Sequence, residues 1–382
     1  MKAWIVSSLA AAGLAVAAAG SAADITVMTQ NQYLGADIAP LVEPGIPPEV
    51  FFARVVEALQ QVSANRPTER FVALASEIAD RRPHLVGLQE VFSFECQDIT
   101  GGGGCSSPLI AGAMNDHLQG TMEALDDSYR VVAQVKNLDV ELPLFLSPTV
   151  GVLIHVVDRD VILAREDVWA QPLPPEVVAA SCPRPSMDGC NFSVVIPLGP
   201  PLDVNIERGY VAATAMVNGR PYLFVNTHLE TREPAAFVQA LQGLELLQVV
   251  NGLKAGLGMP AIVVGDMNSS PNDPAVVEVP PLDPRFPPFA PTPYAAFSSA
   301  MQDAWLLRPG TVPGLSCCQA ADLSNHNSQV YERIDLIWSS DVPWKVKDAR
   351  VLGETVNFKT HPHGRGLWPS DHGAVTATLR FR

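Results

Sequence analysis

The sequence predicts an α/β fold in which two packed β-sheets carry helices on their outer faces. Three observations predict it. An apolar run at the start is followed by helical periodicity and a second apolar run; a strong hairpin signal stands mid-chain; and two more β-branched runs close the 382-residue chain.

Residues 25–31 read as a strand ending in polar side chains. Two helical stretches follow. In the second, Phe71, Leu74, Ala75, Ile78 and Ala79 recur at helical spacing behind Pro67. Pro83 stops that helix, and residues 84–89 form a buried strand that delivers Glu90. Residues 150–157 and 161–164 read as two further strands. Residues 210–217 and 221–226 flank Asn218-Gly219, both of which tolerate the positive φ that a two-residue hairpin turn requires. Phe237, Leu241, Leu244 and Leu247 mark an amphipathic helix, and residues 261–265 a short buried strand leading to Asp266. Prolines crowd residues 271–293, which are expected as a surface excursion. Residues 334–338 and 374–381 supply the last strands.

Lys2, the uncharged run to Ala23 and the small residues Ser21 and Ala23 match a secretory signal cleaved after Ala23. The run is short and padded for a spanning helix. The expected product is therefore an exported protein, secreted or periplasmic, with no stable membrane anchor. Candidate site residues extend from Asn31 to His372, so residues 24–382 are expected to form one domain. The formal net charge of −15, with no Lys/Arg cluster, argues against tight non-specific nucleic-acid binding. Six cysteines suit an oxidising compartment. Cys96 with Cys105 and Cys182 with Cys190 bracket short loops as local staples. Cys317 and Cys318 are adjacent, and either can seek another partner. Spacing for a zinc site is lacking.

Acidic, amide and imidazole side chains stand at the ends of several predicted strands. Glu90 ends one apolar run, where a carboxylate is costly unless paired or bound to a cation; a hard ion such as Mg²⁺ takes such ligands. Asn31 offers an amide oxygen to the ion or orients a phosphate. His228 follows Asn226-Thr227 and, as imidazolium, can donate to a phosphoryl oxygen or protonate a leaving group. Asp266 and Asn268 stand two apart, and the carboxylate can position or deprotonate a water. An Asx turn at Asn268-Ser269-Ser270-Pro271 is the structural alternative. Ser370-Asp371-His372 is no serine relay, because neighbouring side chains diverge. His372 is instead expected to be held by Asp335, leaving Asp371 to face the metal or phosphate. Arg208 is a candidate phosphate ligand. His361, His363, Arg365 and Trp368 mark a loop read as substrate-facing.

These segments resemble the endonuclease/exonuclease/phosphatase superfamily: Gln89-Glu90, Asn226-Thr227-His228, Gly265-Asp266 with Asn268, Arg333-Ile334-Asp335-Leu336 and Ser370-Asp371-His372. The resemblance implies a four-layer sandwich of two mixed sheets flanked by helices. It implies Mg²⁺ or Mn²⁺ held chiefly by Glu90, with Asn31 and Asp371 nearby. In-line water attack on phosphorus would be assisted by His228 and by the Asp335–His372 pair. His372 is preferred as general base over Asp266. The substrate is expected to be a phosphodiester, first a nucleic acid and alternatively a phospholipid headgroup, as in sphingomyelinases. An inositol-phosphate phosphatase fits an exported chain less well, and a catalytically silent binding module fits the intact acid set poorly. No protein partner is implied.

Overall fold

The computed structural model describes residues 23–381, apart from 44, 200–202, 282–285, 344 and 362–365. The expected signal segment lies outside the described residues up to Ala23, which begins the first strand. None of the described helices is long and apolar enough to cross a membrane.

Two eight-stranded sheets dominate. The first runs in the order Lys345–Leu352, Ala374–Phe381, Ala23–Asn31, Leu85–Gln89, Val150–Arg165, Ser93–Asp98 and Asn115–Asp116, with Tyr129–Ser147 also pairing with Val150–Arg165. The second runs Gln302–Asp303, Asp335–Ser339, Ala261–Asp266, Arg220–His228, Gly209–Val217, Gly189–Asn191 and Pro185–Ser186, with Trp169–Pro172 pairing with Gly209–Val217. Each sheet holds a parallel pair: Ala23–Asn31 with Leu85–Gln89, and Arg220–His228 with Ala261–Asp266. Parallel neighbours need a long crossover. Helices Pro48–Ala64 and Pro67–Arg81 supply the first and helix Ala236–Leu257 the second. Both crossovers end by delivering a carboxylate, Glu90 in one sheet and Asp266 in the other.

Alternation along the strands builds four layers. Val27, Ile162, Val211, Phe224, Ile262, Val264 and Ile337 meet between the sheets. Met28, Val86 and Leu88 turn outward onto Ala75 and Ile78 of the Pro67–Arg81 helix. Leu223, Val225 and Val263 turn outward onto Leu246, Val250 and Leu253. The layers are thus helix, sheet, sheet and helix, as the resemblance implied. The hairpin turn at Asn218-Gly219 forms with both residues at positive φ, 50° and 79°.

Three details differ from the sequence reading. Residues 150–165 form one strand, because Asp158 and Asp160 point into the molecule instead of breaking it. The described residues of the 271–293 stretch lie largely at the surface but are partly built: Val276–Glu278 pairs with Phe289–Pro291, and Val279 and Ala290 cover Ala240 and Leu241. The Ala236–Leu257 helix therefore buries apolar side chains on two sides. Cys96–Cys105 and Cys182–Cys190 are bonded as expected, and Cys317 pairs with its neighbour Cys318.

Candidate active site

The two sheets converge at one edge on Asp266. Thr227 pairs with Gly265 and His228 with Asp266 across the parallel ladder, and Asp266 faces Asp335 on its other side. A Cβ on Gly265 would lie 2.1 Å from the Thr227 carbonyl oxygen, so only glycine lets these strands approach. Gly87 plays the same part between the sheets. It leaves room for Asn226, which accepts from Gln89 Nε2 at 2.6 Å and donates to the carbonyls of Leu88 and Val161.

Asp266 Oδ2 is the hub of the cluster. It accepts from Asn31 Nδ2 at 3.1 Å and lies 3.5 Å from His228 Nε2 and 3.7 Å from His372 Nε2. Its other oxygen accepts from the Asn268 backbone N–H at 2.9 Å, so the Asx turn here belongs to Asp266. Asn268 adopts φ 48°, and its Nδ2 stands 3.1 Å from His228 Nε2. Burial first, and the like charge of Asp335 second, push the Asp266 carboxyl up to about 7.

His372 donates or shares a proton from Nδ1 with Asp335 Oδ2 at 2.8 Å. Burial disfavours charge on the ring, but Asp335, Asp371 and Asp266 outweigh it and hold its pKa well above the ordinary histidine value. His228 behaves in the opposite way. Burial, Arg208 and His372 all push its pKa well below the ordinary value. Donors lie against both ring nitrogens, Arg208 Nη1 at Nδ1 (3.0 Å) and Asn268 Nδ2 at Nε2. An imidazolium has no lone pair to offer them. A neutral ring has one lone pair and can accept from only one of the two donors, and together with burial and Arg208 these surroundings disfavour the expected imidazolium.

Glu90 stands just past its strand at φ 53°, a conformation that side chains other than glycine rarely hold. Its Oε1 accepts from Asn31 Nδ2 at 3.0 Å and its Oε2 from the Leu34 N–H at 2.9 Å. Asn31 Oδ1 is taken by the Tyr33 N–H at 2.8 Å, so the amide nitrogen, not the expected oxygen, faces the carboxylates. Asp371 lies close enough to feel Glu90, and burial with that like charge pushes its carboxyl up to about 6. Glu90 and Asp371 are thus neighbouring carboxylates whose oxygens are the donors that a hard divalent cation takes. Asp266, Asp335 and His372 also present atoms within 4.8 Å of one another. The Asp335–His372 proton occupies that trio, which leaves Glu90 and Asp371 as the better fit.

Two residues central to this arrangement were not singled out in the sequence. Arg70 is fully buried, donates to the carbonyls of Pro369, Gln32 and Tyr33, and sits under Asp371 and Glu90. Its signal was a charge on the same helix face as Phe71, Leu74 and Ile78. Ser316 donates its hydroxyl to Asp335 Oδ2 at 2.6 Å, and its carbonyl receives the Gly373 N–H; nothing in its local sequence announces that. Conversely, Trp368 is buried and donates to the Asn325 carbonyl, so its indole does not face substrate, while the exposed His361 lies beside Glu69. His363 and Arg365 lie outside the described residues. Arg208 does reach the site, between His228 and Glu230.

The model of the Endonuclease/Exonuclease/phosphatase family matches residues 146–372. The chain belongs to that family. Endonuclease/exonuclease/phosphatase proteins are phosphoesterases that in general use a divalent metal. A family protein from Bacteroides thetaiotaomicron is similar over 95% of this chain and 100% of that one, with a TM-score of 0.52 and 18% identity. A mannosyl-6-phosphatase from Bacteroides thetaiotaomicron VPI-5482 is similar at TM-score 0.50 and 17% identity, over 93% and 99% of the two chains. A family protein from Bacteroides vulgatus matches at TM-score 0.50 and 15% identity, over 94% and 99%. At such identities these likenesses are of fold. No curated protein matches the chain.

Proposed function

We propose that this chain is an exported, divalent-metal-dependent phosphodiesterase that directs a water in line onto phosphorus. The observation that carries the reading is the gathering of Glu90, Asp371, Asp266, His228 and His372 around one point at the sheet edge. Glu90 and Asp371 would hold Mg²⁺ or Mn²⁺, which supplies positive charge for the phosphoryl oxygens. Asn31 orients both Glu90 and Asp266 through one amide group. Asp266 lies between both histidines and takes the proton of the attacking water, in place of His372. His372, charged and steered by Asp335, donates from Nε2 to the developing phosphoryl charge. Neutral His228, backed by Arg208, adds a second donor at that oxygen. The three disulfides and the charge pattern of the leader support export.

Residues 24–382 are proposed to act as one catalytic domain. A nucleic-acid substrate is the first reading, on the completeness of the acid and histidine set. The lipid reading has one observation of its own. Tyr129–Ser147 and Val150–Arg165 form a long hairpin whose tip carries Phe145, 69% exposed, near Ile99. Arginines around the site are also engaged by acids, Arg232 with Asp273 and Glu332, and Arg159 with Asp116, which leaves less for a polyanion. Turnover of bis-p-nitrophenyl phosphate should vanish in excess EDTA and return with Mg²⁺ or Mn²⁺; full activity in EDTA would overturn the metal reading. Plasmid DNA and sphingomyelin vesicles assayed side by side then separate the substrates: nicking selects the nuclease, and choline phosphate release selects the lipid enzyme.

A further inference from the structure

Behind the site, the long hairpin buries three polar side chains that the proposed chemistry does not use. Asp158 and Asp160 stand two apart on one strand, so both point inward, on the side where Ile162 and Ala164 join the core. Asn137 sits across from them, where the strand pairing slips between Lys136 and Leu138. A bulge of that kind re-aims a side chain. Asn137 is 1% exposed, Asp158 3% and Asp160 0%. The Asn137 carboxamide lies beside both carboxyls and favours their charged forms. Even so, Nδ2 and Oδ1 of Asn137, Oδ1 of Asp158 and both oxygens of Asp160 have no hydrogen-bond partner.

Buried polar atoms in folded proteins are nearly always paired, so bare ones gathered in one place call for a ligand. The cation facing them is Arg208, which is also drawn to Glu230 and Glu90. Its N–H groups reach His228 and Glu230. One guanidinium thus answers four carboxyls. Burial pushes the Asp158 carboxyl up to about 7, and burial with Asp158 beside it raises that of Asp160 well above the usual range. Protonation would relieve that charge, but a carboxylic acid needs an acceptor for its proton, and Oδ1 of Asp158 and both oxygens of Asp160 have no partner in bonding geometry. Buried oxygens gathered without hydrogen bonds suit a cation of the calcium class, which takes carboxylate and amide oxygens. A cavity of about 210 Å³ lined by Lys136, Asn137, Asp139, Ser186, Asn205 and Glu207 opens beside Asn137. It has room for several waters.

We propose that Asn137, Asp158 and Asp160 hold a second, structural cation of the calcium class, completed by water from that cavity. The ion takes up the charge of the two aspartates and leaves Arg208 to its partners at the active site. This site is separate from the Glu90–Asp371 pair and does not depend on the hydrolase reading. The test is equilibrium dialysis and thermal melting of the chelator-treated full chain with Ca²⁺ alone. Wild type and Glu90→Gln should each bind Ca²⁺ at this site and melt several degrees higher with it. Asp160→Asn, shown to be folded by its near-UV dichroism, should lose that ion and that shift. Should Asp160→Asn fail to fold, Asn137→Ala provides the second measure, with Ca²⁺ affinity at least tenfold weaker. Unchanged binding in both Asp160→Asn and Asn137→Ala overturns the proposal, as does a Glu90→Gln protein that binds no Ca²⁺.

Discussion

His372 and His228 lie on either side of one carboxylate oxygen, yet their surroundings favour different protonation states. Acids surround His372, whereas a guanidinium and an amide confront His228. In the proposed mechanism both donate to phosphoryl oxygen, so His228→Ala and His372→Ala should each lower kcat by about 10²-fold or more, as for the loss of an oxyanion donor. Steady-state kinetics on a chromogenic diester checks this, and a near-normal kcat removes that residue from the mechanism. Ser316 acts one step back. With its hydroxyl on Asp335 Oδ2, the carboxylate cannot swing away from the imidazole. Ser316→Ala should reduce kcat by roughly tenfold with KM nearly unchanged, on the scale of an outer partner of a catalytic group, and Ser316→Thr should restore part of it. An equal fall in kcat for Thr and Ala would show the hydroxyl to be irrelevant. The histidines were legible because they end apolar runs. Ser316 was not, since its partner lies 19 residues away and only the folded chain brings them together.

At the scale of elements, the same strand can be easy to find and hard to bound. Residues 374–381 read plainly as a strand because every residue except Arg380 is apolar or Thr. The strand through Asp158-Arg159-Asp160 was split, because a buried acid pair looks like a turn until its inward direction is known. Another buried acid ties the Pro67–Arg81 helix to the first strand. Glu77 Oε2 accepts from Gln30 Nε2 at 2.6 Å, and burial raises the Glu77 carboxyl well above its usual range. A raised acid favours the folded state while it is protonated. Its contribution is therefore complete below the unfolded pKa, about 4.3, and declines as pH rises toward the folded value. Glu77→Gln mimics the protonated acid. It should raise the melting temperature at pH 7 by on the order of 2 °C, with no gain near pH 4. A variant less stable than wild type at pH 7 would show that Glu77 is charged and paired in the fold. At Gly87, an added Cβ would lie 2.5 Å from Asn226 Oδ1. Gly87→Ala should cost about 1–3 kcal/mol by overpacking, visible as a lower denaturant midpoint; an unchanged midpoint would mean that Asn226 is free to move aside.

For the whole molecule, what matters is that the two sheets are each assembled from distant parts of the chain. Ala23–Asn31 pairs in parallel with Leu85–Gln89 on one side and antiparallel with Ala374–Phe381 on the other. The middle of the first sheet therefore joins the start of the described chain to its end. The stretch with family-level sequence similarity, residues 146–372, contains the second sheet but only two long strands of the first, Val150–Arg165 and Lys345–Leu352. Those two are not neighbours; the missing strands lie between them. Without Ile25, Val27, Leu85, Ala377 and Leu379, the inner faces of Val211, Phe224, Ile262 and Ile337 would meet water instead of the opposing sheet. Asn31 and Glu90 would be absent as well. Expressed alone, residues 146–372 should therefore show no cooperative thermal transition and no near-UV dichroism, while residues 24–382 melt as one unit. A sharp melting transition in the fragment would mean that the second sheet and its helices fold alone. The chain would then divide into two domains where a single one is proposed.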